Sequence, residues 1–406
     1  MIDIKGQWNA GLEPLVEAFA ANFAQRGEQG AALAVYRHGQ PVLNIWAGTR
    51  DNAAADLKGA PWEEDTRVNI YSASKGLVAI SVLQLVARGE LVLDAPVADY
   101  WPEFAQADKG AITLRQILCH RAGLSAFNAR RKDSDIFDWA TITAAIADES
   151  PWWEPGTAQG YSPFIFGWIL GELVRRVSGY ASFNDYFQAR VAQPVGANCT
   201  FGVAADQLDA LADTASLNSS IAQPMTSPGA DSASLGKLMK ADPRGVTNRA
   251  FVNPMSLMTA PNTRPWRQAQ IPAANCHASA SALAAIYGGL TVGKLLPESH
   301  LPLCWQEQTA EHDRVLGLPL RFSCGFMLSQ ERPDCRFGRG ARGFGHPGAG
   351  GSLGFADPDH GIGFGYVTAR QGQSLLIDQR AIHLIDALYQ LPDYQLPDYQ
   401  LPEITA

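Results

Sequence analysis

The chain has 406 residues, 46% of them hydrophobic and 18% charged, with a formal net charge of −8. This is the composition of a soluble globular protein with ample material for a core, in two or three domains or one core carrying an inserted lobe. The acidic balance argues against nucleic acid as a partner, since phosphate binding needs a clustered basic surface, and no apolar run approaches the length of a membrane span.

Taken from the start, MIDIKGQWNAGLEPL has neither an apolar h-region nor a small-residue cleavage site, so the expected location is the cytoplasm. Residues 11–26 place Leu12, Leu15, Val16, Phe19, Ala20 and Phe23 on one face at helical spacing. AALAVYRHGQPVLNIWAG (31–48) predicts a hairpin joined at His38-Gly39. Residues 72–88 predict a helix apolar all round, closed by Gly89, and 164–178 another, closed by Gly179; such helices are buried ones. The stretch 215–265, rich in Ser, Pro, Asn and Gly, predicts long loops. GGSLGFADPDHGIGFGYVTAR (350–370) predicts a second hairpin turning over 357–361. A helix over 374–390 follows, with Ile377, Ala381, Leu384, Ile385 and Leu388 on one stripe. The closing repeat YQLPDYQLPDYQLPE has a proline in each unit, which blocks regular helix and predicts an extended tail over 391–406.

A helix and hairpin at one end and a hairpin and helix at the other can complete one antiparallel sheet with helices packed on it. The expected fold is therefore α/β plus all-α: an α/β lobe from 1–69 and 261–390, with a helical lobe over 70–260 inserted between its halves. Cys119, Cys199, Cys276, Cys304, Cys324 and Cys335 contain no C-x-x-C pair, and the eight histidines no H-x-x-x-H arrangement. The expectation is reduced, mostly buried thiols and no metal.

Two serines compete for a catalytic role. GGSLG (350–354) fits the G-x-S-x-G elbow that lifts a serine to the top of an α/β-hydrolase sheet. That fold needs helix–strand units carrying an acid and a histidine after the serine, and here one helix and a repeat tail follow, so Ser352 reads as structural. Ser72, in NIYSASKGLVAIS, opens a buried helix whose N-terminal amides favour negative charge. Lys75 lies three residues on, on the same face, where an apolar wall would lower its pKa and make it a base. Taken alone, S-x-x-K reads as an N-cap serine beside a surface lysine.

Three further stretches change that weighing: ITLRQILCHRAGL (112–124), WWEPGTAQGYSPFIFGWILGELVRRVSG (152–179) and FGHPGAGGSLGF (344–355). With YSASKG, and in this order, they resemble the serine β-lactamase, penicillin-binding and esterase superfamily. The closest likeness is to class C β-lactamases and the family VIII esterases built on that scaffold, over about residues 15–390. The resemblance implies Ser72 as acylated nucleophile, Lys75 as its partner, and Tyr161 as the tyrosine of the Y-x-N motif, helping to deprotonate the serine and to protonate the leaving group. A phenol with an ordinary pKa near 10 acts as a base only beside a cation. The motif's asparagine is replaced by Pro163, and His346-Pro347-Gly348 stands where Lys-Thr-Gly would be, so two groups that hold a β-lactam are missing. His346 and Gly348 are then expected to contact substrate. The amides of Ser72 and Ala349 are expected to form an oxyanion hole, and His120 to be architectural. Trp152, Trp153, Trp168 and Trp266 are candidates for an apolar acyl pocket or for core packing, with Trp153 the one assigned to substrate.

The expected activity is cleavage of short-chain carboxylic esters through an acyl-enzyme on Ser72, in a crevice between lobes, with no cofactor and a small-molecule ester as partner. A β-lactamase or D-amino-acid peptidase is the alternative chemistry, and a non-catalytic scaffold the alternative class.

Overall fold

The computed structural model describes residues 2–51, 59–216, 231–372 and 374–391. Among them, nine strands form one antiparallel sheet. Their order is Lys5–Trp8, Gln40–Gly48, Gly30–Arg37, Ile362–Thr368, Leu353–Asp357, Phe344–Pro347, Met327–Leu328, Pro319–Phe322 and Thr309–His312. Both expected hairpins are present, and they adjoin: Leu33 pairs with Tyr366 and Val35 with Phe364. The two chain ends thus meet in the middle of the sheet.

Strand alternation divides the side chains between two layers. Leu33, Val35, Phe355 and Phe364 point into an apolar cluster with Leu15 and Phe19 of helix Glu13–Gln25 and Leu384, Ile385 and Leu388 of helix Gln379–Tyr389. The latter begins later than 374, because Asp378 caps it by accepting the Arg380 amide. Ala32, Ala34 and Ala356 face the other way, toward helix Ala280–Thr291. That helix lies close: a Cβ on Gly365 would stand 2.2 Å from the Ala280 carbonyl oxygen.

Residues between the hairpins are mainly helical. Helix Ser74–Ala87 packs on helix Ile165–Ser178; the first is buried on nearly every face, and the second through Val174, with Glu172, Arg175 and Arg176 forming an ion-pair group at its C-terminal end. Asp138 caps helix Trp139–Asp148, and Thr113 with Gln116 makes a capping box on helix Leu114–Leu118.

The stretch 215–265 departs from the long loops expected of it. It holds helices Asp231–Ala241, Val246–Val252 and Ser256–Thr259 and the start of Arg264–Gln268. Serine and glycine lower helix propensity, but Leu235, Leu238 and Met239 recur at helical spacing, and Leu235 and Met239 pack on the apolar cluster, which overrides composition. Residues 217–230, and the tail expected to be extended from 392 onward, lie outside the described residues. All six cysteines are buried thiols, and no helix of the described residues is long and apolar enough to cross a membrane.

Candidate active site

Ser72 occupies a tight turn, Tyr71–Ala73, that leads into helix Ser74–Ala87. Tyr71, immediately before it, has φ +47°, a left-handed conformation that a bulky residue adopts only when its surroundings impose it. The Tyr71 phenol is moored 3.5 Å from Thr214 Oγ1. In such a turn residues i and i+3 eclipse, and Lys75 Nζ lies 3.1 Å from Ser72 Oγ.

Lys75 is fully buried, and its ammonium nitrogen also donates to the carbonyls of Pro163 (2.7 Å) and Ala273 (3.1 Å). Burial drives its pKa well below the ordinary lysine value. Carbonyl oxygens only accept, so a neutral Nζ would give its two hydrogens to Pro163 and Ala273. Its lone pair is then left for the Ser72 hydroxyl, which is the geometry of a general base.

Tyr161 closes the group. Lys75 Nζ stands 4.8 Å from its ring centroid, and the phenol is within reach of the Ser72 side chain. Burial raises the phenol's pKa above its ordinary value; the Ser72 side chain opposes this, and the Asp313 carboxylate adds to it. The ring is backed by His120, 5.0 Å between centroids, and by His346 at 6.0 Å. His120 also accepts the Ser162 amide on Nδ1 (3.1 Å), and its carbonyl accepts the Gly160 amide. It holds the tyrosine loop through these two bonds.

Sequence reasoning missed Asp313. Fully buried, it accepts the Tyr161 amide (2.8 Å) and the Gln159 side chain on one oxygen, and the Val315 and Leu316 amides on the other. Burial raises its pKa while these donors pull it down. It comes from a loop 152 positions away from Tyr161, and nothing local in EHDRVLG distinguishes it.

The strand Phe344–Pro347 runs up to the turn Tyr71–Ala73. A Cβ on Gly348 would lie 2.2 Å from the Ile70 carbonyl oxygen, so the backbone before Ala349 is pressed against the segment leading into Ser72. This strand is interior to the sheet, yet its neighbour Met327–Leu328 reaches only Phe344 and Gly345. His346 and Pro347 continue past it, so Pro347 removes no bond on that side. Ser352 precedes strand Leu353–Asp357 and contributes its carbonyl to the Gly348 amide (2.6 Å); there is no elbow leading into a helix.

His346 is 1% exposed, with Nδ1 2.8 Å from the Pro347 carbonyl and no partner for Nε2 among the described residues. Burial first, then the Lys75 charge, push its imidazole down to about 3. It is therefore neutral and cannot stand in for a lysine cation. Trp153 is half-buried, donates to the Ala158 carbonyl, and lies under the Arg314 guanidinium with its edge against Gly160. Trp152 is half-buried as well, whereas Trp168 and Trp266 are wholly buried and bonded to Gln270 and Asn69. Those two are core. Among the described residues no three histidine, cysteine or carboxylate side chains gather as metal ligands.

A family model described as Beta-lactamase matches residues 15–387. The chain is 31% identical over 374 residues to Esterase/beta-lactamase LipL of Mycobacterium tuberculosis (strain ATCC 25618 / H37Rv), covering 90% of this chain and 83% of that protein. A solved family VIII carboxylesterase is similar with a TM-score of 0.85 and 32% identity, over 96% of this chain and 100% of that one. A penicillin-binding protein homolog from Caulobacter crescentus is similar with a TM-score of 0.82 and 32% identity, over 96% and 99%.

Proposed function

The chain belongs to the beta-lactamase family, and from that premise we propose that it is a carboxylesterase cleaving short-chain esters through an acyl-enzyme on Ser72. The observation that carries this reading is the placement of Lys75 Nζ between two carbonyls and Ser72 Oγ. Neutral Lys75 takes the Ser72 proton as Oγ attacks the ester carbonyl. The oxyanion forms against the amides of Ser72 and Ala349, each worth roughly 3 kcal/mol to the transition state. Tyr161, kept protonated by its burial, gives its proton to the departing alkoxide and recovers one from Lys75. Water then attacks the acyl carbonyl, and the same groups carry the protons in the opposite direction.

Ester is favoured over β-lactam by two replacements. Pro163 offers a carbonyl to Lys75 where the family's asparagine would offer a side-chain amide to substrate. His346 is neutral and buried where a lysine would hold a carboxylate. The family VIII carboxylesterase similarity supports the same choice. The name of the Mycobacterium tuberculosis relative keeps β-lactam hydrolysis as the second reading. A parallel assay of short p-nitrophenyl esters and a chromogenic cephalosporin separates them: ester turnover with little or no cephalosporin turnover is expected. Cephalosporin rates matching those of the best ester would overturn the assignment.

A further inference from the structure

A buried ionic network lies beneath the loop that follows the oxyanion strand. Arg380, 1% exposed, donates through Nη1 to Glu28 (2.9 Å) and Thr368 (3.1 Å) and through Nε to Asp378 (2.8 Å). Tyr366 and Thr368 add hydroxyl donors to Glu28. Glu28, Thr368 and Asp378 therefore converge on one guanidinium. Its remaining nitrogen, Nη2, donates to the Gly350 carbonyl at 2.6 Å.

What happens beyond Gly350 follows from peptide geometry. A trans peptide unit is planar, with C=O and N–H pointing opposite ways. The Gly350 carbonyl is fixed by Arg380 and by the Gly372 amide at 2.8 Å, so the Gly351 N–H points away from them. That N–H donates to the Gly348 carbonyl at 3.1 Å. The same rule, applied to the Gly348–Ala349 peptide, aims the Ala349 N–H away from Gly351. No group among the described residues takes that N–H. The Gly348 amide is itself closed onto the Ser352 carbonyl, so the loop has little freedom to rotate these planes.

The geometry points to Arg380 as a positioning residue for the ester reaction, aligning and polarising the Ala349 amide through the hydrogen-bonded Gly350–Gly351 and Gly348–Ala349 peptide units. This inference rests on the proposed oxyanion role of Ala349. Chains of hydrogen bonds polarise one another, and here the chain begins at a cation that cannot lose its proton and ends at the donor facing the developing oxyanion. The interaction strengthens as charge develops on the substrate oxygen, so it belongs to the transition state and barely to substrate binding. The two carboxylates hold the guanidinium in a site where an unpaired cation would be prohibitive.

The test is Arg380→Lys, which keeps the charge and loses the fork. Its readouts are kcat and KM for a p-nitrophenyl ester and the inhibition constant of an alkyl boronic acid, whose tetrahedral serine adduct occupies the oxyanion site. A fall in kcat of about ten- to a hundredfold, with KM nearly constant and boronate affinity reduced in step, is expected. Glu172→Gln serves as control, since it breaks a buried ion pair with Arg175 and Arg176 in the helical part of the chain. It should lower Tm while leaving kcat unchanged. If Arg380→Lys does not fold, the neutral triple variant Glu28→Gln/Asp378→Asn/Arg380→Gln carries the same readouts. Wild-type kcat, or a lowered kcat with unchanged boronate affinity, overturns the role of Arg380. A wild-type protein that neither reacts with a fluorophosphonate nor binds the boronate overturns the serine-hydrolase reading, and the Arg380 inference with it.

Discussion

Lys75 Nζ donates to the carbonyl oxygen of Pro163 at 2.7 Å. The residue that replaces the family's asparagine therefore still holds the lysine, but through its backbone, and contributes no side chain toward substrate. Substitution at this position cannot remove the acceptor. Pro163→Ala should keep ester kcat within about fivefold of wild type, the equivalent of roughly one net hydrogen bond. Pro163→Asn should behave alike toward esters and raise cephalosporin turnover above its starting level. A collapse of ester turnover in Pro163→Ala would show that the proline ring, and not the carbonyl, matters to the lysine.

Tyr161→Phe tests the acid. The ring keeps its contacts with Lys75, His120 and His346, so the packing survives and only the hydroxyl is lost. The kcat should fall by about 10²–10⁴, with KM nearly unchanged, because proton transfer is felt in the transition state. Wild-type kcat in this variant would make Tyr161 a packing residue and leave proton transfer to Lys75 alone.

The pH profile tests the base. In the proposed mechanism Lys75 acts when neutral, so kcat/KM should rise with pH through the lysine's own pKa, and burial places that limb below the ordinary lysine range. Tyr161 must stay protonated, and its pKa is raised, so no alkaline decline should appear up to pH ~10, the ordinary phenol value. An acid limb at the ordinary lysine value near 10.4 would refute the lowered pKa of Lys75.

Three buried imidazoles shape stability in acid. Burial holds His120 well below the usual histidine value and His277 and His346 at about 3. The unfolded chain, with histidines near 6.5, takes up protons that the folded chain refuses. This contribution is whole above that pH and is lost as pH falls toward the folded values. Each group removes up to about 1.4 kcal/mol per pH unit. Urea denaturation at successive pH values should show a steep fall below pH ~6, and His277→Asn should flatten the slope by about a third. His277 lies in a small three-stranded sheet, so the same variant should leave neutral-pH turnover alone. An unchanged slope would mean that His277 titrates normally in the folded chain.

The parts of this site that were legible in sequence are those fixed by short-range spacing. Ser72 and Lys75 are three residues apart on one helical start, and each hairpin is two alternating runs around a recognisable turn. Asp313 was invisible because its role exists only once a distant loop closes over Tyr161. Helix Ala280–Thr291 is equally unmarked in the sequence. Its run of alanine, glycine and leucine has no polar face to mark it, because it lies between the sheet and the helical part of the chain. The helices over 231–259 were hidden by serine and glycine, whose low propensity is outweighed by a few apolar contacts. There composition points to loops and apolar periodicity to helix.

The last prediction separates Ser72 from Ser352. A fluorophosphonate should label the protein once, and peptide mass spectrometry should place the adduct on the peptide containing Ser72. Ser72→Ala should abolish labelling and turnover together, since Lys75 Nζ is bonded to no other serine or threonine hydroxyl among the described residues. Ser352 is 4% exposed, and what it gives the site is its backbone carbonyl, bonded to the Gly348 amide. That bond survives replacement of the side chain, so Ser352→Ala should still be labelled. Slower turnover in Ser352→Ala would not identify a nucleophile, because a shift of the Ala349 amide by about 1 Å can cost a hundredfold in rate. The adduct decides: a label that survives in Ser72→Ala and maps to Ser352 would refute the assignment of Ser72, and with it the role given to Lys75.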